Sequence, residues 1–159
     1  MLTFHELYER YAQDVYRFSY WMSGDPAEAE DITSETFVRA WVAKTPIRTE
    51  TVKAYLFAIA RNLYRQQLRR SRREADLNAL ERDPAPAPDQ LVEDRLNLAE
   101  AQASMQILSE VDRAALIMRV LYEMPYEEIA RALSLSVSAA KVKVHRARLR
   151  LAEARLRKE

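Results

Sequence analysis

The chain holds 159 residues, enough for one medium domain or two small ones. Its 48% hydrophobic and 31% charged residues describe a globular chain and exclude disorder throughout. It has no cysteine and one glycine, Gly24, which excludes disulfides and thiolate metal sites and argues against a sheet of tight hairpins. Ala, Leu, Arg and Glu dominate, all good helix formers, so an all-α fold is expected. The N-terminus, MLTFHELYERYAQDVY, lacks a basic segment followed by an apolar run and is not read as a signal peptide. No run approaches the roughly 18 apolar residues of a membrane span. A cytoplasmic chain without membrane insertion is expected.

In chain order, Phe4, Leu7, Tyr8, Tyr11, Val15, Phe18 and Met22 recur at helical spacing over 3–22. Gly24-Asp25-Pro26 ends that helix. Asp25 can cap the next one, with Pro26 at its first position. Ala29, Ile32, Thr36, Phe37, Ala40 and Trp41 share one side of this second helix, which stops before Pro46. A third helix spans about 51–72, with Val52, Leu56, Ile59, Ala60 and Leu63 inward. The stretch 74–90 contains Asp83-Pro-Ala-Pro-Ala-Pro-Asp89, which cannot propagate a helix. It reads as a Pro- and acid-rich tether, so two small helical domains are expected, 1–73 and 91–159. A 17-residue tether permits both closed and open arrangements of the two. Further helices are expected over 91–108, 110–123, 126–133 and 137–157, with Ser109 as a cap.

The net charge of +1 conceals a pattern. Residues 1–36 carry eight acids against Arg10 and Arg17, whereas 61–73 carry six arginines and no acid. Residues 74–100 hold eight acids and two arginines; 141–158 hold eight bases and one acid, Glu153. Two basic blocks set between acidic ones suggest two polyanion contacts on one chain.

The segment PYEEIARALSLSVSAAKVKVHRARLRL reads as a helix-turn-helix. Ile129, Ala130 and Leu133 line one helix; Val137, Ala140, Val144, Ala147 and Leu151 line the next. With Val144 at the centre of the buried face, Ala139, Val142, Arg146 and Leu149 point outward, flanked by Ser138, Lys143, His145 and Arg150. Lys143 and Arg146 are the best base or phosphate contacts, with Lys141 and Arg148 as phosphate neighbours; the helix amides near Ser138 can bind a further phosphate. An antiparallel helix pair with a basic outer face is the plainer alternative.

DPAEAEDITSETFVRAW (25–41) and AYLFAIARNLYRQQLRRSRR (54–73) closely resemble regions 2.2 to 2.4 of the extracytoplasmic-function sigma factors, compact members of the bacterial sigma-70 family. The terminal helix pair resembles the family's region 4. The resemblance covers nearly the whole chain outside 74–90. It implies a transcription initiation factor that binds the RNA polymerase core, recognises −10 and −35 promoter elements and assists melting. It places Asp31, Ser34, Glu35, Val38 and Trp41 on the surface that grips the clamp of the largest subunit, with Ser34 where glutamine is usual. It places Lys53, Phe57, Arg61, Asn62, Tyr64, Arg65, Gln66 and Arg69 on the helix that meets −10 DNA. Phe57 and Tyr64 would stack on unpaired bases there or belong to the core; the polar residues would hold bases or phosphates. It places Ser138, Lys141, Lys143, Arg146 and Arg148 against the −35 duplex. Lys44–Glu50 corresponds to the family's base-capturing loop, and the acidic tether to a linker that threads toward the polymerase active site. The flap of the second-largest subunit and an anti-sigma factor are further implied partners. No nucleophile–base pair, phosphate loop or metal cluster is visible in the sequence, so no enzymatic activity, cofactor or metal is expected. Two other readings stay open: a DNA-binding regulator that acts without polymerase, and a helical protein-binding adaptor.

Overall fold

The computed structural model describes residues 3–43, 52–77 and 93–158. All regular structure among them is helical. Helix α1 (Phe4–Ser23) starts at a reciprocal cap: Thr3 Oγ1 accepts from the Glu6 amide at 3.2 Å, and Glu6 Oε2 accepts from the Thr3 amide at 3.1 Å. It ends at Gly24, whose φ of +73° is the left-handed geometry that glycine tolerates at a helix end. Helix α2 (Pro26–Val42) starts as its sequence indicates, with Asp25 accepting from the Ala27 amide at 2.9 Å.

Helix α3 (Val52–Leu77) runs further than the expected boundary, so Glu74 and Asp76 are helical and not tether. The segment from Arg69 to Leu77 has no glycine or proline, and Arg70–Glu74 and Arg72–Asp76 stand at i,i+4 spacing, which supports helix. The rest of the acidic tether, 78–90, and the loop Lys44–Glu50 lie outside the described residues. Helices α4 (Glu93–Gln106), α5 (Glu110–Val120), α6 (Tyr126–Leu133) and α7 (Val137–Lys158) complete the chain. Ser109 caps α5 by accepting from the Asp112 amide at 3.3 Å. Ser134 closes α6 at φ 55°, ψ 47°, left-handed without being glycine.

Helices α1, α2 and α3 pack as a bundle around Val15, Phe18, Met22, Ile32, Phe37 and Leu56, all buried. Thr33 and Thr36 are buried there, and each hydroxyl donates to the carbonyl four residues earlier at 2.6 Å, so neither is left unpaired. Helices α5, α6 and α7 form a second bundle around Ile117, Ile129, Leu133, Ala140, Val144 and Ala147. Small Ala130 and Ala140 let α6 and α7 cross closely, as their sequence indicates.

The two bundles are closed on each other. Helix α3 packs on α6, and α1 packs on α4 and α5. The closure has a polar logic at the end of α1. A helix leaves its last carbonyls without partners, and α1 has no basic residue in its last turn to meet them. The second half supplies the donors. Gln102 Nε2 donates to the Tyr20 carbonyl at 2.6 Å, Gln106 Nε2 to the Trp21 and Met22 carbonyls at 3.4 Å, and Arg113 Nη1 to the Met22 carbonyl.

Candidate functional site

The outer face of α2 is the first candidate. Buried Ala29, Ile32, Thr36, Phe37 and Ala40 fix which way the helix faces. Asp31, Ser34, Glu35, Val38 and Trp41 are thereby exposed together, one stripe of acids running into an apolar end. Trp41 is 66% exposed and Val38 52%. Trp41 is steadied by Phe4, edge-on with ring centroids 5.0 Å apart. Glu35 Oε1 accepts from Arg39 Nε at 3.3 Å. Near the N-terminus of α2, burial, and then the charges of Asp25 and Asp31, push the Glu28 carboxyl above its ordinary value. The face is strongly negative.

The second candidate is the face of α3. Asn62 and Arg69 are exposed, and Arg65 and Gln66 are half-buried. Lys53 sits 3.7 Å from Asp14 and 5.6 Å from the centroid of the Tyr122 ring. Phe57 is not a free platform. It is fully buried, stacked on Phe18 at 4.6 Å with planes 9° apart, and its other side meets Tyr122 at 4.8 Å. Tyr64 is likewise buried, under Arg113, whose Nη1 donates to its hydroxyl at 3.0 Å. Arg61 is buried and bidentate to Glu110, with Nε to Oε2 at 2.9 Å and Nη2 to Oε1 at 2.6 Å. Phe57, Arg61 and Tyr64, expected on the helix that meets −10 DNA, share one face of α3. The correction is that this face is covered by α5 and by Tyr122.

Three residues that sequence reasoning did not single out make this cover. Glu110 takes Arg61, and Arg65 Nε lies 3.6 Å from the same carboxylate. Arg113 is buried and uses Nε, Nη1 and Nη2 on the carbonyls of Met105, Met22 and Leu108 and on Tyr64. A buried guanidinium keeps its charge, so such saturation is what makes its burial affordable. Tyr122 donates to the Asp14 carbonyl at 3.0 Å; burial first, then the charge of Asp14, pushes its phenol well up. The usable signal was Arg113 itself, a cation directly before the apolar run Ala114–Met118 on a helix whose packed face it shares.

The third candidate is α7. Ser138, Lys141 and Arg148 are exposed and Lys143 is half-buried. Lys141 Nζ is 5.7 Å from the centroid of the Tyr126 ring. Arg146, expected to point outward, is partly exposed and is also held. Its Nε and Nη2 reach the two Asp112 oxygens at 2.9 Å each, across to α5. Arg148 lies beside an apolar groove of about 660 Å³ between α4, α5 and α7, lined by Met105, Leu116, Ile117 and Leu151.

Among the described residues, no group of three or more His, Cys, Asp or Glu could hold a metal ion, and no helix is long and apolar enough to cross a membrane. Of the three faces, one is acidic and two are basic.

The family described as Sigma-70 region 2 matches residues 7–74, and Sigma-70, region 4 matches residues 98–151. The chain is 32% identical over 155 residues to the ECF RNA polymerase sigma factor SigM of Bacillus subtilis, covering 94% of this chain and 93% of that one. It is 33% identical over 156 residues to the ECF RNA polymerase sigma factor SigE of Mycolicibacterium smegmatis, covering 95% of this chain but 61% of SigE, so it spans about three fifths of that relative's length. Among solved structures, the sigma factor RpoE in complex with the anti-sigma factor NepR from Bartonella quintana matches with a TM-score of 0.71 at 25% identity, covering 92% of each chain. CnrH in complex with the cytosolic domain of CnrY also matches at 0.71, at 23% identity over 98% of this chain and 89% of that one; this likeness concerns the fold.

Proposed function

This chain belongs to the sigma-70 family of RNA polymerase sigma factors, in its extracytoplasmic-function group, and from that premise we propose that it is a transcription initiation subunit that docks on core polymerase and directs it to promoters. The observation that carries the proposal is the exposed stripe Asp31, Ser34, Glu35, Val38 and Trp41, displayed by a rigid bundle whose third helix carries the arginines. An acidic stripe with an exposed tryptophan at its end suits a basic, partly apolar protein surface. The clamp of the largest subunit is the surface we assign to it.

The face of α3 then meets separated −10 strands. Lys53, Asn62, Arg65, Gln66 and Arg69 are reachable in the closed chain; Arg61, Phe57 and Tyr64 become so as the covering half moves away. Ser138, Lys141 and Lys143 of α7 meet the −35 duplex, mostly through phosphates, and Arg146 offers the part of its guanidinium not held by Asp112. Arg148, exposed on the same helix, extends that basic face toward the −35 phosphates, and the α4–α5–α7 groove is offered to the flap of the second-largest subunit. The polymerase supplies the catalysis. An anti-sigma partner is supported by the likeness to RpoE held by NepR.

The test is direct. Purified chain is added to core polymerase lacking any sigma factor, and specific initiation on promoter DNA is scored. Initiation at defined start sites is expected. Tight duplex binding without initiation would instead identify a conventional regulator, and failure of both would identify an adaptor.

A further inference from the structure

Glu110 sits in a seat made by two arginines of α3. Arg61 grips it with two parallel N–H···O bonds, and Arg65 stands 3.6 Å from the nearer oxygen. The fork of a guanidinium fits a carboxylate and a phosphodiester alike, since both present two oxygens sharing one negative charge. Glu110 arrives from the other half of the chain, 49 residues along, and it does not come alone. Arg113 covers Tyr64, Tyr122 covers Phe57, and Arg113 with two glutamines caps the end of α1. Beyond the seat, Arg69, Arg70, Arg72 and Arg73 continue exposed along α3 toward its C-terminus. A bound strand following those cations would reach the Arg61–Arg65 pair and find a carboxylate already in it.

We infer that Glu110 is a built-in substitute for a nucleic-acid phosphate: it fills the anion seat of Arg61 and Arg65, and a DNA strand and the second half of the chain compete for one face of α3. This rests on the reading that α3 meets separated strands. Closure lowers the apparent affinity by the fraction of chains that are open, so a chain closed about 90% of the time binds roughly tenfold more weakly than an open one. Docking on polymerase and engagement of a strand both draw from the open population, which makes them mutually reinforcing.

The competition is measurable on the full chain. Glu110→Gln keeps size and removes charge; Glu127→Gln, on the exposed face of α6, removes an acid elsewhere and controls for net charge. The probe is a fluorescein-labelled single-stranded DNA of mixed sequence, followed by anisotropy. The chain has no cysteine, so Arg10→Cys with Arg131→Cys places a pair of spin labels, one on each half. Glu110→Gln is expected to tighten DNA binding by roughly five- to tenfold with Glu127→Gln near wild type, and saturating DNA is expected to lengthen the label separation in the wild-type background. Unaltered affinity in Glu110→Gln overturns the inference, and so does a label separation that DNA leaves unchanged. In either of those cases, Arg61→Ala with Arg65→Ala in the polymerase complex separates the two ideas. Lost initiation keeps α3 as the strand-binding face and removes only the competition; full initiation removes both.

Discussion

Arg146 and Asp112 face each other as a matched fork, two 2.9 Å bonds joining α7 to the first turn of α5. The carboxylate is nearly inaccessible while the guanidinium is 43% exposed. The pair therefore acts as an anchor for the outward helix as well as a cation on its surface. Burial pushes the Asp112 carboxyl up, but hydrogen bonding and charge from Arg146, aided by Lys143 and Ser109, outweigh it and hold the group below its ordinary value of 3.8.

Stability should follow from that sign. A carboxyl held low in the folded chain contributes stability above its unfolded value and loses it as pH falls through the lower folded value. Asp112→Asn is expected to melt several degrees lower than wild type near neutral pH, because it leaves Arg146 without its partner. Thermal melts below about pH 4 should bring the two curves together. A gap that stays constant down to pH 2 would show that the ion pair does not carry the effect.

Phe57 separates packing from recognition. Fully buried between Phe18 and Tyr122, it should cost about 3–5 kcal/mol when replaced by alanine, measured by urea unfolding. Phe57→Leu keeps most of the volume and should cost much less. Promoter binding that survives in Phe57→Leu but fails in Phe57→Ala would mark the ring as structural.

The acidic stripe predicts the opposite pattern. Asp31→Arg with Glu35→Arg touches only exposed groups, and among the described residues the one ion pair lost, Glu35 with Arg39, is an exposed i,i+4 pair worth about 0.3–0.5 kcal/mol. Unfolding should be nearly unchanged while binding to core polymerase is abolished in a pull-down. Undiminished core binding would place the docking surface elsewhere.

On α7, Lys141→Ala should weaken −35 duplex binding about equally across sequences and reduce the slope of log affinity against log salt by about one. Lys143→Ala should do the same or discriminate between sequences, according to whether it meets phosphate or base. An unchanged slope in both variants would move the duplex to another face.

Ser134 holds a left-handed backbone that its Cβ disfavours. Ser134→Gly should therefore stabilise the chain by about 0.5–1 kcal/mol in urea unfolding, whereas Ser134→Val should destabilise it. Equal stability of Ser134→Gly and wild type would show that the serine side chain compensates for its own strain.

Helix positions were legible because local signals agree at each of them. Asp25-Pro26, Gly24 and Ser109 punctuate the chain, and Val144, Ile129 and Phe18 recur on the faces that pack. The outward stripe of α2 was legible for the same reason, once Ile32, Thr36 and Phe37 had fixed the inward side. The cover over α3 was not. Periodicity sorts residues into inside and outside, but it does not say whose inside. Phe57 and Tyr64 lie on one seam of α3, and only contacts to Tyr122 and Arg113, 65 and 49 residues away, decide what fills it. The tie from Arg146 to Asp112 was not legible either: its helical angle points outward, and only the fold shows that a long flexible side chain there reaches a partner on another helix.

The bare end of α1 has a thermodynamic meaning. The Tyr20 carbonyl keeps the Gly24 amide at 2.8 Å; its second donor and the donors to the Trp21 and Met22 carbonyls are amide and guanidinium groups from across the interface, and water can serve almost as well in their place. Parting the halves thus exchanges one set of donors for another without stranding dry polar atoms. Such a seam suits repeated opening better than permanent assembly, and amide protons around Gly24 should trade with solvent sooner than those in the middle of the same helix.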